Sequence, residues 1–141
     1  MSDLLVVDND RRIVDLVVMF LGKRGHVVRR AESFAAAREE IARRRPELML
    51  SDLDLGAERG EEELPKMQRA GMLPPTLVVS GYLGAESEVR LKALPGVVGC
   101  LRKPFDLTAL ERAIAAALAQ ASRIDVDDEG WVDVKPFGGS A

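Results

Sequence analysis

Cysteine is nearly absent from this 141-residue chain. Cys100 stands alone, so no internal disulfide can form and stability must come from a packed core. Aromatic residues make up only 4%, which leaves leucine, valine, isoleucine and alanine to fill that core. No apolar run approaches the roughly 20 residues that a helix needs to cross a bilayer. The opening Met1-Ser2-Asp3-Leu4-Leu5 leads into Asp8 and Asp10 and lacks the basic region and apolar stretch of a secretion signal. These absences predict a soluble, cytoplasmic domain with no membrane partner. An excess of positive charge is missing too. The formal net charge is −3, and residues 123–141 hold five acids against two bases, so the two signs balance in residues 1–122. Nucleic acid is therefore not an expected partner. Arg43-Arg44-Arg45 is one basic cluster, but it stands just before Pro46, where cations complement the C-terminal end of a helix dipole.

What is present is an alternation of short apolar runs with longer amphipathic ones. Leu4–Val7, Val27-Val28, Leu48–Leu50, Thr76–Val79 and Val98–Leu101 read as strands. Helical periodicity follows each of them: through Ile13, Leu16, Val17, Phe20 and Leu21, then from an N-cap at Ser33 to about Arg44, over about 61–70, about 85–94, and about 106–121. Five strand–helix units in succession predict an α/β fold, a doubly wound parallel sheet with helices on both faces. Residues 1–122 would form this domain, with 123–141 as an acidic tail.

In such sheets ligands bind at the carboxyl ends of the strands. There the sequence places Asp8-Asn9-Asp10, Asp52-Leu53-Asp54, Ser80-Gly81 and Lys103-Pro104-Phe105. Carboxylates and an amide oxygen suit a hard cation such as Mg²⁺, which also keeps waters and phosphate oxygens. A carboxylate beside such a cation can act as a nucleophile toward phosphorus, with an ammonium and a hydroxyl stabilising the transferred group. An aspartate after a strand is by itself usually only a cap or turn; four such groups at four strand ends carry the signal.

These segments, Leu-Val-Val-Asp-Asn-Asp, Leu-Ser-Asp-Leu-Asp-Leu, Val-Val-Ser-Gly and Leu-Arg-Lys-Pro-Phe, resemble in order and spacing the receiver domains of two-component response regulators, over roughly residues 2–122. The resemblance implies the five-stranded flavodoxin-like receiver fold. It implies Asp52 as phosphoacceptor, Ser80 and Lys103 as residues contacting the phosphoryl group, and Mg²⁺ held by Asp8, Asn9, Asp52 and Asp54. It also implies a cis peptide bond before Pro104, a histidine kinase or phosphotransfer protein as donor, and an unidentified downstream protein as recipient. Phosphorylation would then shift the face formed by the fourth helix, fifth strand and fifth helix. Such a domain is a switch and not a conventional turnover enzyme.

Several positions depart from the family pattern. Asn9 stands where the second carboxylate of the acidic pair is usual, so weaker Mg²⁺ binding is expected, with Asp54 or Asp10 as sources of compensating charge. The alternative is a degenerate receiver acting as a phosphorylation-independent interaction module. A phosphatase with an aspartyl intermediate shares the Asp52-Leu53-Asp54 spacing, but its motif follows the first strand and it needs a cap domain. Cys100 replaces a common aromatic and reads as a small buried apolar residue. Gly56 replaces a loop proline and should loosen that loop, Tyr82 either shields the phosphate or lies on the surface, and His26 reads as packing. In the tail, Ile124, Val126, Trp131, Val132 and Val134 around Glu129-Gly130 suggest a β-type arm. It would pack on the domain or on a second copy, which makes a homodimer one candidate assembly, or else form a frayed extension or a linker to further chain.

Overall fold

The computed structural model describes the backbone of residues 2–121 and 132–134, and the side chains of 2–121. In chain order it runs β1 (Asp3–Val7), α1 (Arg11–Lys23), β2 (Val27–Ala31), α2 (Phe34–Arg43), β3 (Leu48–Asp52), β4 (Asp54–Leu55), β5 (Glu58–Arg59), α3 (Gly60–Arg69), β6 (Thr76–Ser80), α4 (Ala85–Lys92), β7 (Val97–Arg102), α5 (Leu107–Ala121) and β8 (Val132–Val134). The main sheet has the order β2-β1-β3-β6-β7-β8, and every neighbouring pair in it is parallel. The five expected strands therefore lie in one sheet, in the order a doubly wound fold requires.

Strand alternation builds two cores from one sheet, because successive side chains point to opposite faces. Leu5, Val7, Met49, Val78 and Cys100 face a cluster closed by Phe34, Ala37 and Ile41 of α2, Leu64 and Met67 of α3, and Leu91 of α4. Leu4, Val6, Leu48, Leu50, Leu77 and Val79 face the opposite cluster, closed by Val14, Val17 and Leu21 of α1 and by Leu110, Ala113, Ile114 and Ala117 of α5. Each fully buried leucine or phenylalanine contributes about 1.5–3 kcal/mol. Cys100 is completely buried in the first cluster, in keeping with its apolar reading.

Caps fix where the helices begin. The Asp10 side chain accepts from Arg12 N and starts α1, and Ser33 accepts from Ala36 N and starts α2. Asp106 does the same for α5, accepting from Ala109 N at 2.7 Å. The strands are less uniform than their apolar runs suggest. β2, at the edge of the sheet, carries Arg29 and Arg30, and of its five residues only Ala31 is buried. Arg29 reaches Asp3 and Glu40 there in an ion-paired network.

The segment after β3 differs from the plain loop expected. β4 and β5 pair antiparallel, with Leu55 opposite Glu58. Gly56 adopts φ +79° at the turn, a left-handed conformation that glycine enters without steric cost. A glycine expected to loosen the segment instead closes a hairpin.

Candidate functional site

Parallel pairing brings the C-terminal ends of β1, β3, β6 and β7 to one end of the sheet. Asp8 follows β1 and is 5% exposed. Its Oδ1 accepts from Asp10 N at 2.9 Å, which turns the carboxyl inward. Asp52 ends β3, and its Oδ1 accepts from Asp54 N at 3.2 Å. Lys103 follows β7 and joins the two acids: its Nζ lies 3.0 Å from Asp52 Oδ2 and 3.6 Å from Asp8 Oδ2. The Lys103–Pro104 peptide bond is cis.

Ser80 ends β6 and is buried. Its hydroxyl donates to the Tyr82 carbonyl at 2.6 Å and accepts from Tyr82 N at 3.2 Å, which folds the start of the β6–α4 loop over it. Lys103 N donates to the Ser80 carbonyl at 2.8 Å, so one backbone bond ties the hydroxyl residue to the lysine. Beside Ser80 lies an open crevice of about 710 Å³, reached past Asp54, Arg59 and Tyr82. Space for an incoming group therefore lies beside Ser80 and beside Leu53 and Asp54, the residues that follow Asp52.

The charges shift one another. Burial pushes the Asp8 carboxyl above the usual carboxylate value, against the pull of Asp10 N–H and of Lys103. For Lys103, burial alone would lower the pKa. The hydrogen bond and charge of Asp52, then the charge of Asp8, outweigh it and hold the ammonium above its ordinary value. The Lys103 ammonium thus bridges the two acids.

The predicted set is not all drawn into this cluster. Asp8, Asp52 and Lys103 meet directly, and Ser80 is joined to them through the backbone. Asn9 is exposed, and a side chain at Gly56 would come within 3.9 Å of its Nδ2. Asp54 is exposed and accepts from Gly56 N at 3.1 Å. Asp10 is committed to capping α1. Tyr82 is 86% exposed, so of its two readings the surface one describes this state. His26 Nδ1 is buried without a hydrogen-bond partner, remote from these acids.

Among the described residues no group of three or more His, Cys, Asp or Glu side chains gathers to hold a metal. Asp8 and Asp52 nevertheless supply the one or two carboxylates with which Mg²⁺ is usually held, water and phosphate completing its shell. The donor chemistry therefore fits Mg²⁺, with one charge fewer than a three-carboxylate site.

One contact had no signal in the sequence. Glu58 Oε1 accepts from Phe34 N at 2.9 Å, tying the hairpin after β3 to the first turn of α2. An acid in a polar loop gives no hint of a partner 24 residues away.

The chain matches the response regulator receiver domain family over residues 4–115. It is 30% identical over 130 residues to the transcriptional regulatory protein GlrR of Escherichia coli, covering 92% of this chain and 29% of that protein. It is 30% identical over 122 residues to the DNA-binding transcriptional regulator NtrC of Rhizobium meliloti, covering 86% and 25%. The chain thus spans less than a third of the length of these relatives. Among solved structures, a CheY-like receiver domain from Methanospirillum hungatei superposes with a TM-score of 0.76 at 25% identity, covering 85% of this chain and 95% of that one. The receiver domain of a LuxO repressor protein from Vibrio parahaemolyticus superposes at 0.78 with 21% identity, covering 89% and 95%, and shares the fold. With the acid–lysine cluster at the strand ends, this agreement over most of its length means that the chain belongs to the receiver-domain family of two-component response regulators.

Proposed function

We propose that this receiver domain is phosphorylated on Asp52 and signals by changing its protein contacts. The observation that carries the reading is the Lys103 ammonium placed on Asp52 and Asp8 at the carboxyl ends of the strands. A carboxylate oxygen of Asp52 attacks the phosphorus of a phosphohistidine on a histidine kinase or phosphotransfer protein. The phosphorus–nitrogen bond breaks, and the imidazole leaves with its electron pair. Asp52 becomes an acyl phosphate bearing up to about two negative charges. Lys103 offsets charge on the phosphoryl oxygens, and the Ser80 hydroxyl leaves the Tyr82 carbonyl to donate to one of them. Mg²⁺, held by Asp8 and Asp52 with Asn9 and Asp54 beside them, supplies further charge neutralisation when bound. Because Lys103 N is bonded to the Ser80 carbonyl, the two residues move together. Their strands, β6 and β7, carry the change to the face built from α4, β7 and α5, where a downstream protein would read it. The chemistry is positioning and electrostatics on a single acceptor, without turnover of a substrate.

Asn9 favours one second reading, a receiver that binds partners without phosphorylation. Intact-mass measurement after incubation with acetyl phosphate and Mg²⁺ separates the two. The switch gains one phosphoryl mass, and Asp52→Asn does not. If neither acetyl phosphate nor a phosphohistidine donor protein adds that mass to the unmodified chain, the switch reading fails.

A further inference from the structure

The outer side of β7 is where a five-stranded sheet would end, with backbone donors and acceptors unpaired. Such an edge is a template for any extended chain. Here it is taken: β8 pairs with it in parallel, Val132 opposite Gly99, Asp133 opposite Cys100 and Val134 opposite Leu101. β7 is six residues long and β8 only three, below the usual strand length of about five or six. Pairing this short opens more readily than the sheet interior. β7 is buried from Val97 to Leu101, so an occupant of its edge is recognised through the backbone, as in strand addition. The same strand runs through Arg102 directly into Lys103, whose N–H holds the Ser80 carbonyl and whose Nζ lies on Asp52.

We infer that residues 132–134 are a cis-acting strand cap on β7 that holds Lys103 in place and so regulates the acceptor site. Its functional side rests on the phosphoacceptor reading. The cap itself rests only on the sheet register. With the cap seated, β7 is an interior strand, fixed on both sides up to two residues before Lys103. With the cap released, one side of β7 is free, and Lys103 loses part of the support that preorganises it toward Asp52. The edge then accepts another extended segment in the same parallel register.

The test compares the full chain with Val132→Pro/Val134→Pro, and separately with Asp133→Pro, since proline removes the N–H a ladder needs. Using both patterns covers either set of bonding residues. Amide hydrogen exchange reads the cap without any phosphorylation. The β7 amides facing β8 within Gly99–Leu101, and the Lys103 amide, should lose about tenfold or more of their protection in at least one variant. A synthetic peptide of residues 128–136 should restore it. With acetyl phosphate, initial phosphorylation of Asp52 should slow by about threefold or more and recover with the peptide. Unchanged protection in both variants overturns the cap. Lost protection at Gly99–Leu101 with an unchanged Lys103 amide overturns the coupling. A chain that shows the exchange effects but accepts phosphate from no donor refutes the phosphoacceptor reading and leaves the cap standing.

Discussion

Replacing Lys103 by methionine keeps most of the side-chain volume and removes the charge between Asp8 and Asp52. At 3.0 and 3.6 Å and an effective dielectric of about 20, each attraction amounts to about 5 kcal/mol before the cost of desolvating the ions. That cost cancels much of it in the intact site. Deletion, however, leaves two largely buried carboxylates facing each other, and breaking a buried pair typically costs about 3–5 kcal/mol. Because the site opens to solvent, the lower end applies, and a loss of about 3 kcal/mol is expected at pH 7.5. The pH dependence follows from Asp8. Its folded pKa is already raised by burial and rises further once Lys103 is gone. A carboxyl whose folded pKa exceeds its unfolded value is a burden above that pKa, relieved as pH falls through it. The penalty should therefore shrink as pH falls from 7.5 to 5. In the unmodified protein the ammonium itself, with its raised pKa, contributes stability that is full below the unfolded lysine value and lost as pH rises through the folded one. Urea unfolding of both proteins at pH 5, 7.5 and 10.5 measures all three. A loss under about 0.5 kcal/mol at pH 7.5, or one that grows on acidification, would refute this account of the site.

Other perturbations probe separate parts of the molecule. Gly60→Ala sets a Cβ 2.7 Å from Leu53 Cδ2 and 3.0 Å from Leu53 Cα; thermal unfolding should show a loss of about 1–3 kcal/mol. Asp106→Ala removes the cap of α5 and should cost about 1 kcal/mol by urea denaturation. Asn9→Asp adds a carboxylate beside Asp8, and Mg²⁺ affinity by isothermal titration should rise about tenfold, or about 1.4 kcal/mol. Phe34→Ala empties the largest fully buried side chain in the core and should cost about 3–5 kcal/mol in calorimetry.

The fold was readable because its strands and helices differ in period. Leu48–Leu50 and Thr76–Val79 are too short and too apolar to be surface helices, whereas Ile13, Leu16, Val17, Phe20 and Leu21 repeat at helical spacing. The acid–lysine cluster was readable because each member directly follows a strand, and parallel strands deliver their ends to one place. What escaped the sequence was pairing over distance. The β4–β5 hairpin lies in a polar loop with only two residues per strand, too few for an alternating pattern. Val132 and Val134 suggested extended chain, but nothing in the residues named β7 as their neighbour. The hairpin turn at Gly56 escaped because it depends on whether the flanking residues pair. Ile124, Val126 and Trp131, the other residues named for the β-type arm, lie outside the described residues.

The segment after Asp52 is held at both ends. Gly60 N donates to the Leu53 carbonyl at 2.7 Å, and Glu58 grips the first turn of α2 from the far strand. Surface loops usually absorb inserted or deleted residues, and this one has no slack to do so. One residue more or fewer between Leu53 and Gly60 would break the hairpin register, release α2 and displace the backbone that donates to Asp52. Among receiver relatives that keep a glutamate at the position of Glu58, length variation should therefore collect in other loops, and the spacing between the positions of Asp52 and Gly60 should stay constant while the residues within it change.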